Sequence, residues 1–451
     1  MRKVDATQGG LIKLIFIYTI PLILTTIAQQ LFTIVDTAVL GNMADTAAVA
    51  SVGATTTITN LVLNGITGLS TGVSIVLSRY VGQKNEEKIR ATIDTALISS
   101  LGFGVLVASV GLIFSPLFLT LIECPADCYD GATLYLRIIL AAAPATQMYN
   151  FGAAILRALG DTQRPMYYIT ISGIVNVVLN VILCLILPHK VAAVAIATVA
   201  SKVISAALVL NRLFHWEDSA RVSLKKLRFY PEAFLNIVRY GIPTSISSLL
   251  YPVANLQIAP AINSFGVDAV AGGSASNHIH SIAASFTSGF ATATTTFMGQ
   301  NIGAQHPERV KKSFWYCLIL GSLITGSVGM LIYLSGEFWL GLVLGRDATE
   351  AIAYGMIRME YLTRFIFVST ILNVLVHALQ AYGYPIFGSI SSICFTLGFR
   401  VFWMQLVYPH YKTYACLMLC FITSWALNAL FNAVFVVIIG RRYSKGKYRK
   451  I

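Results

Sequence analysis

The stretch that decides the architecture is residues 11–40, LIKLIFIYTIPLILTTIAQQLFTIVDTAVL, in which Lys13 and Asp36 are the only charged side chains. A bilayer crossing needs about 20 apolar residues, and this run exceeds that while carrying Pro21 and the polar set Gln29, Thr33 and Asp36. Similar runs recur along all 451 residues, of which 56% are hydrophobic and 11% charged, against about 25% charged in a soluble domain. The mean hydropathy is +0.72. An ordinary soluble enzyme is excluded. A transmembrane barrel needs alternating segments of about ten residues instead of long apolar runs, and is set aside.

At roughly 35 to 40 residues for a span and its connection, the length accommodates about twelve spans. The pattern predicts helices at 11–40, 53–78, 93–121, 133–157, 166–187, 191–211, 233–262, 274–298, 313–335, 353–379, 386–407 and 413–439. With both termini in the cytoplasm, 24 of the 32 Lys and Arg fall on that side, and only Lys190, Arg346 and Lys412 fall in outer loops. That asymmetry orients a multi-pass protein of the cell membrane. The net charge of +13 is carried by clusters separated by apolar runs, which is the pattern of loop anchors; no nucleic-acid partner is expected. The polar start and long first apolar run differ from a cleaved signal peptide, so the N-terminus is expected as mature sequence. Five of the seven Cys lie within apolar runs; Cys124 and Cys128 share an outer loop around Pro125, which leaves a bridge and two free thiols both open.

The two halves of the chain resemble one another. Tyr18, Ile20 and Pro21 recur as Tyr240, Ile242 and Pro243, and Gly72, Gly82 and Gln83 recur as Gly289, Gly299 and Gln300. Ala158 to Gly160 has its counterpart in Ala381 to Gly383. Markers in the same order argue for duplication. Each half holds an even number of helices, so the repeat is parallel and its pseudo-two-fold axis runs along the membrane normal. The expected fold is an all-α membrane protein of twelve transmembrane helices in two six-helix lobes. The N-lobe takes 1–211, a cytoplasmic linker 212–232, the C-lobe 233–440 and a basic cytoplasmic tail 441–451. The cleft between halves is the expected binding site.

An ionisable side chain at the centre of a span costs about 2.5 to 3.5 kcal/mol on insertion scales, so each needs a partner or a wet cavity. Gln29, Thr33 and Asp36 lie at i, i+4 and i+7 on one helical face. Asn176 and Asn180 in helix five, and Thr198 and Lys202 in helix six, are i, i+4 pairs. Lys202 is about eleven residues, or roughly 16 Å, from either end of its span, so it meets an acid, loses its proton or lines water. The competing readings are a solvated, idle Asp36 and Asn pairs that only glue helices together.

In the second half, Asn373 and His377 are i, i+4 and open to a pocket or to helix contacts; with Thr33, Asn255 and His278 they are the candidates for a substrate cavity. His278 and His280 are two apart and face different sides, so no metal site and no cofactor is expected. Glu360 and Arg364 have the spacing of an internal ion pair, while Arg137 and Arg400 have no evident partner. Pro21, Pro144, Pro243, Pro252 and Pro260 interrupt apolar runs and mark candidate moving parts. No phosphate loop, paired-His motif or nucleophile elbow appears, so an enzyme is not expected. A channel lacks its filter sequence, and transport is what remains.

Pro21, Gln29, the run from Ile34 to Thr37 with Gly41, residues 79–85, and the stretch 157–165, RALGDTQRP, together resemble the multidrug and toxic compound extrusion family. The likeness covers nearly the whole chain and points to the DinF-type prokaryotic branch. It implies secondary active export, by alternating access, of bulky and often cationic aromatic drugs or metabolites in exchange for H+ or Na+. It also implies a monomer in contact with membrane lipids. In that branch a polar network surrounds the first-helix acid, which matches Asp36. The surrounding positions match Gln29, Tyr135, Asn150, Asn176 and Thr198, and Pro21 matches the point where the first helix bends; a coupling Na+ would sit at Asp36.

Two departures follow from the resemblance. Where the branch carries a second acid, this chain has Asn180, and Lys202 stands one turn beyond Thr198. Tyr251 and Ile371 occupy the places of the C-lobe acids of the NorM-type branch, so coupling is expected in the N-lobe. The alternative function is a lipid-linked oligosaccharide flippase of the same wider superfamily, whose cleft needs clustered cations; only Arg137, Lys202, Arg364 and Arg400 are available for it.

Overall fold

The computed structural model describes residues 3–43, 46–122, 124–216 and 220–446. Arg2, Glu123, residues 217–219 of the linker and residues 447–451 of the basic tail lie outside the described residues. Among the described residues there is no strand. In the first half run α1 (Leu11–Met43), α2 (Thr46–Gln83), α3 (Glu86–Leu121), α4 (Ala126–Ala141), α5 (Ala143–Ala158), α6 (Gln163–Ile186) and α7 (Lys190–Phe214). The second half holds α8 (Pro231–Asn263), α9 (Val267–Gly303), α10 (Pro307–Leu334), α11 (Gly336–Leu344), α12 (Thr349–Leu362) and α13 (Ile366–Ala381). It closes with α14 (Pro385–Ser391), α15 (Phe399–Phe402) and α16 (Tyr414–Ser444). Two π-helical stretches, Ser392–Gly398 and Trp403–Val407, flank α15 and join it to α14.

Eight helices are long and apolar enough to cross a bilayer, or ten if each of two bent pairs is one span. The remaining two expected spans fall on α8 and α9, which are long enough but richer in polar residues. Several helices begin about a turn or two before the apolar run does, because a polar first turn can stay helical outside the hydrocarbon. In α3 the Asn85 side chain accepts from the Lys88 amide at 3.0 Å, and Glu86 and Glu87 occupy the first turn, where the helix dipole favours carboxylates.

The fourth and tenth expected spans are broken. The axes of α4 and α5 differ by 44°, and those of α12 and α13 by 43°. Pro144 explains the first break, since it has no N–H to donate to the preceding turn. In the second, the amides of Thr363 and Arg364 both donate to the Met359 carbonyl at 2.9 Å, a widened turn that shifts the hydrogen-bond ladder by one residue. By contrast α1 runs on through Pro21 as one helix.

Burial is inverted relative to a soluble protein. Asn180, Asn428 and Asn432 are fully buried, whereas Leu185 and Leu334 are 70% and 72% exposed. Apolar surface facing outward and amides facing inward is the arrangement of a chain solvated by lipid. The seven cysteines are all unbonded, with the sulfur atoms of Cys124 and Cys128 3.7 Å apart.

The chain divides into two compact units, one of Met1–Lys3 and Leu24–Ser245, the other of Val4–Ile23 and Ile246–Ile451. Helices α1 and α8 therefore each begin in one unit and end in the other, changing over beside Pro21 and Pro243. In the second unit Tyr18 of α1 bonds the Thr296 hydroxyl at 2.8 Å and meets the Phe297 ring edge-on at 5.4 Å. In the first unit the start of α8 lies against α2. A Cβ at Gly72 would stand 2.5 Å from the Ile237 carbonyl oxygen, so only glycine admits this approach.

Two of the internal marker pairs lie at helix ends that close alike. After α2, Asn85 N donates to Tyr80 O and Lys84 N to Val81 O, with Lys84 at φ +54°; after α9, His306 N donates to Asn301 O and Gln305 N to Ile302 O, with Gln305 at φ +58°. After α5 and α13 the same paired bonds form around Gly160 and Gly383, both at φ +86°. These are Schellman caps, placed alike in both halves of the sequence.

Candidate functional site

Within the first unit a cavity of about 430 Å³ is lined by Gln29, Thr33 and Asp36 of α1, Tyr135 of α4, Asn176 of α6, and Thr198 and Lys202 of α7, together with apolar and hydroxyl side chains of α2. The i, i+4 spacings seen in the sequence put each pair on one helix face, and α1, α6 and α7 turn those faces toward a common space. Asp36 is tied to α6. The Asn180 amide Nδ2 donates to Asp36 Oδ1 at 2.5 Å. The Asn176 amide, oriented with its nitrogen toward the acid, donates to Oδ1 at 2.6 Å and Oδ2 at 3.2 Å. Two amide donors stabilise the ionised carboxylate.

Lys202 lines the same cavity as Asp36, but the two form no ion pair: the pairs among the described residues are Arg164–Asp161 and Arg364–Glu360. Acid and base thus face one cavity without closing on each other. Asn180 Oδ1 is buried with no hydrogen-bond partner among the described residues, leaving one acceptor unused beside the acid. Gln29 and Thr198 line the cavity while their local bonds stay within their own helices. Thr33 Oγ1 donates to the Gln29 carbonyl at 3.0 Å, and Thr198 Oγ1 donates to the Val194 carbonyl at 3.0 Å.

The structure brings some of the expected site residues together and leaves others apart. The direct hydrogen bonds to Asp36 come from Asn176 and Asn180; Gln29 and Tyr135 stand on the cavity wall instead. Asn150 is not part of that wall, because the break between α4 and α5 turns it toward α2, where Nδ2 is 3.5 Å from Thr67 Oγ1. In the second unit the substrate-cavity candidates Asn255, His278, Asn373 and His377 have local partners. Asn373 donates to the Ser369 carbonyl at 2.8 Å and His377 Nδ1 is 2.8 Å from Thr295 Oγ1, while the His278 carbonyl accepts from Ser281 at 2.6 Å. Glu360 and Arg364 are 3.9 Å apart with side chains 46% and 39% exposed, a long surface pair in place of a buried one.

Arg400, unpaired in the sequence reading, is fully buried. Its Nη1 donates to Asn255 Oδ1 at 2.9 Å and its guanidinium lies 4.3 Å from the Phe421 ring centre, while Nε has no partner. Beside it Asn428 donates to Thr396 Oγ1 at 3.2 Å, and Asn432 donates to Ser391 Oγ at 2.9 Å. This second polar cluster was missed, although Asn428 and Asn432 repeat the i, i+4 signal of Asn176 and Asn180. Among the described residues no three His, Cys, Asp or Glu converge as a metal site.

The comparisons agree with this architecture. The chain is 26% identical over 386 residues to the probable multidrug resistance protein YpnP of Bacillus subtilis, covering 84% of this chain and 85% of that one. To the probable multidrug resistance protein NorM of Thermotoga maritima it is 24% identical over 341 residues, 74% of this chain and 72% of that one. A solved MOP superfamily transporter from Pyrococcus furiosus superposes with a TM-score of 0.91 at 22% identity, covering 98% and 99% of the two chains; at that identity the likeness shows the fold. The MatE family model matches residues 21–182 and 243–403, one segment in each half. The chain belongs to the MatE family of multidrug efflux transporters.

Proposed function

We propose that this protein is a secondary active antiporter of the DinF-type branch, exporting bulky, often cationic aromatic compounds in exchange for H+ or Na+ by alternating access. In this reading twelve spans form two six-helix lobes, both termini are cytoplasmic, and the working unit is a monomer. The observation that carries the proposal is Asp36, held by Asn176 and Asn180 on the wall of a cavity it shares with Lys202.

A carboxylate held by two amide donors is matched to its charged state. Adding H+ or Na+ removes that charge, weakens the bonds from α6 and relieves Lys202 of its counter-charge. An amide carries an acceptor as well as donors, so Asn180 can turn its unused oxygen toward a protonated Asp36. The resulting change in the α1 to α6 tie is the step that moves α1 about Pro21 and shrinks the cavity. Ion and cargo then compete for one conformational equilibrium, each shifting it by its differential affinity for the two states.

Proteoliposomes with proton and sodium gradients imposed separately test the proposal. Cargo accumulates against its own gradient under at least one of them; accumulation that ignores both gradients contradicts it.

A further inference from the structure

A second cavity, about 620 Å³, lies in the first unit where α3 and α8 begin. Glu86, Glu87 and Arg90 of α3 form one side; Lys225, Lys226, Arg228 and Tyr230, in the segment leading into α8, form the other. That segment is fastened to α3. The Tyr230 amide donates to Thr95 Oγ1 at 3.0 Å. The basic residues are therefore held over the pocket by their own backbone.

None of the four cationic side chains has a hydrogen bond or an ion pair with a described residue, although Arg90 acts on Asp94 through its charge. Four cations face two carboxylates, and those carboxylates sit in the first turn of α3, where the helix dipole already holds them. Like charges gathered around a hollow favour an anion inside it. Beside the pocket Phe229 is 47% exposed and Leu235 66% exposed, and Phe229, Phe234 and Phe103 follow one another at ring distances of 5.3 and 6.2 Å. Aromatic and aliphatic surface next to a basic hollow, at the ends of two long helices, is the composition of the layer between lipid tails and headgroups.

We propose that this pocket binds the phosphate-bearing headgroup of an anionic membrane lipid, with Lys225, Lys226 and Arg228 on the phosphate and the acyl chains leaving over Phe229 and Leu235. Binding there would add to the linker's hold on α3, and it is separate from the ion-coupling cavity.

Native mass spectrometry of the full chain in detergent, titrated with phosphatidylglycerol, phosphatidylcholine or inorganic phosphate, tests the site. Phosphatidylglycerol is expected to bind at least tenfold more tightly than phosphatidylcholine, with inorganic phosphate retained weakly or not at all. The triple variant Lys225→Gln, Lys226→Gln, Arg228→Gln loses that preference, and Lys225→Gln alone weakens it several-fold in a less perturbed protein. The control Arg441→Gln, Arg442→Gln, which removes cations at the end of α16, keeps it. A preference unchanged in both pocket variants overturns the proposal. Retention of inorganic phosphate as tight as that of the lipid also overturns it, by assigning the site to a soluble phosphate compound. The readout is binding alone, so its failure leaves ion-coupled export standing, and the reverse holds too.

Discussion

Asn180 Nδ2 donates to Asp36 Oδ1 across 2.5 Å, joining two helices through residues 144 apart in the chain. The proposed DinF-type likeness implies a second acid where this chain has Asn180, and an amide there changes the chemistry. Two carboxylates at this distance compete for one proton or cation, whereas an amide donates to the single acid and leaves it, among the described residues, the only carboxylate on the cavity wall.

Replacing Asn180 by Leu removes one of the two donors to Asp36. A hydrogen bond to a charged group contributes about 1.5 to 3 kcal/mol, so ion-driven transport should fall by about tenfold or more while the protein still inserts. Transport in proteoliposomes, normalised to inserted protein, is the check. Unchanged transport would remove the α1 to α6 tie from the mechanism.

Lys202 shares the cavity with Asp36 without pairing to it. Lys202→Gln should therefore displace the pH profile of transport, because a cation close to an acid alters the balance between its two protonation states. A profile that superimposes on that of the unmodified protein would assign Lys202 to structure.

Gly72 and Gly289 are corresponding positions of the repeat with different neighbours. A Cβ at Gly72 meets backbone atoms of Ile237 and Gly241 at 2.5 to 2.8 Å; one at Gly289 meets side-chain atoms of Ile23 and Thr19 at 2.7 and 3.0 Å. Backbone cannot step aside as a side chain can, so Gly72→Ala should cost more than Gly289→Ala, on the order of 1 to 3 kcal/mol. Thermal unfolding in detergent will rank them, and the opposite order would contradict the close helix approach at Gly72.

Arg400 is buried with Asn255 as its hydrogen-bond acceptor and no carboxylate paired to it. Asn255→Ala leaves the guanidinium short of a partner and should destabilise by about 1.5 to 3 kcal/mol. Arg400→Met removes the charge together with its need for a partner and should cost less. Unfolding midpoints in the reverse order would show that the cation itself stabilises the fold.

The long apolar runs, the repeat markers and the polar stripes of α1, α6 and α7 were legible because helical period and hydropathy are written locally. Gly160 and Gly383 could be picked out as markers before their left-handed caps were seen. Bonds such as Asn180 to Asp36 were not legible, since which amide meets which acid depends on how helices distant in sequence are rotated. The break at Ala142, which Pro144 announces, turns Asn150 off the cavity wall, whereas the break at Thr363 had no proline to announce it. The changeover of α1 and α8 between contact units beside Pro21 and Pro243 also had no local signal, because it is a property of what each half-helix touches.

The most direct test of the central claim is Asp36→Asn, a near-isosteric change that removes the charge and keeps a polar side chain at the same place. Purified wild-type and variant protein, reconstituted in equal amounts, would be given a cationic aromatic dye and an imposed proton or sodium gradient. The account predicts gradient-driven dye movement in the wild type and none above the leak in the variant. Equal, gradient-driven movement in both would contradict it.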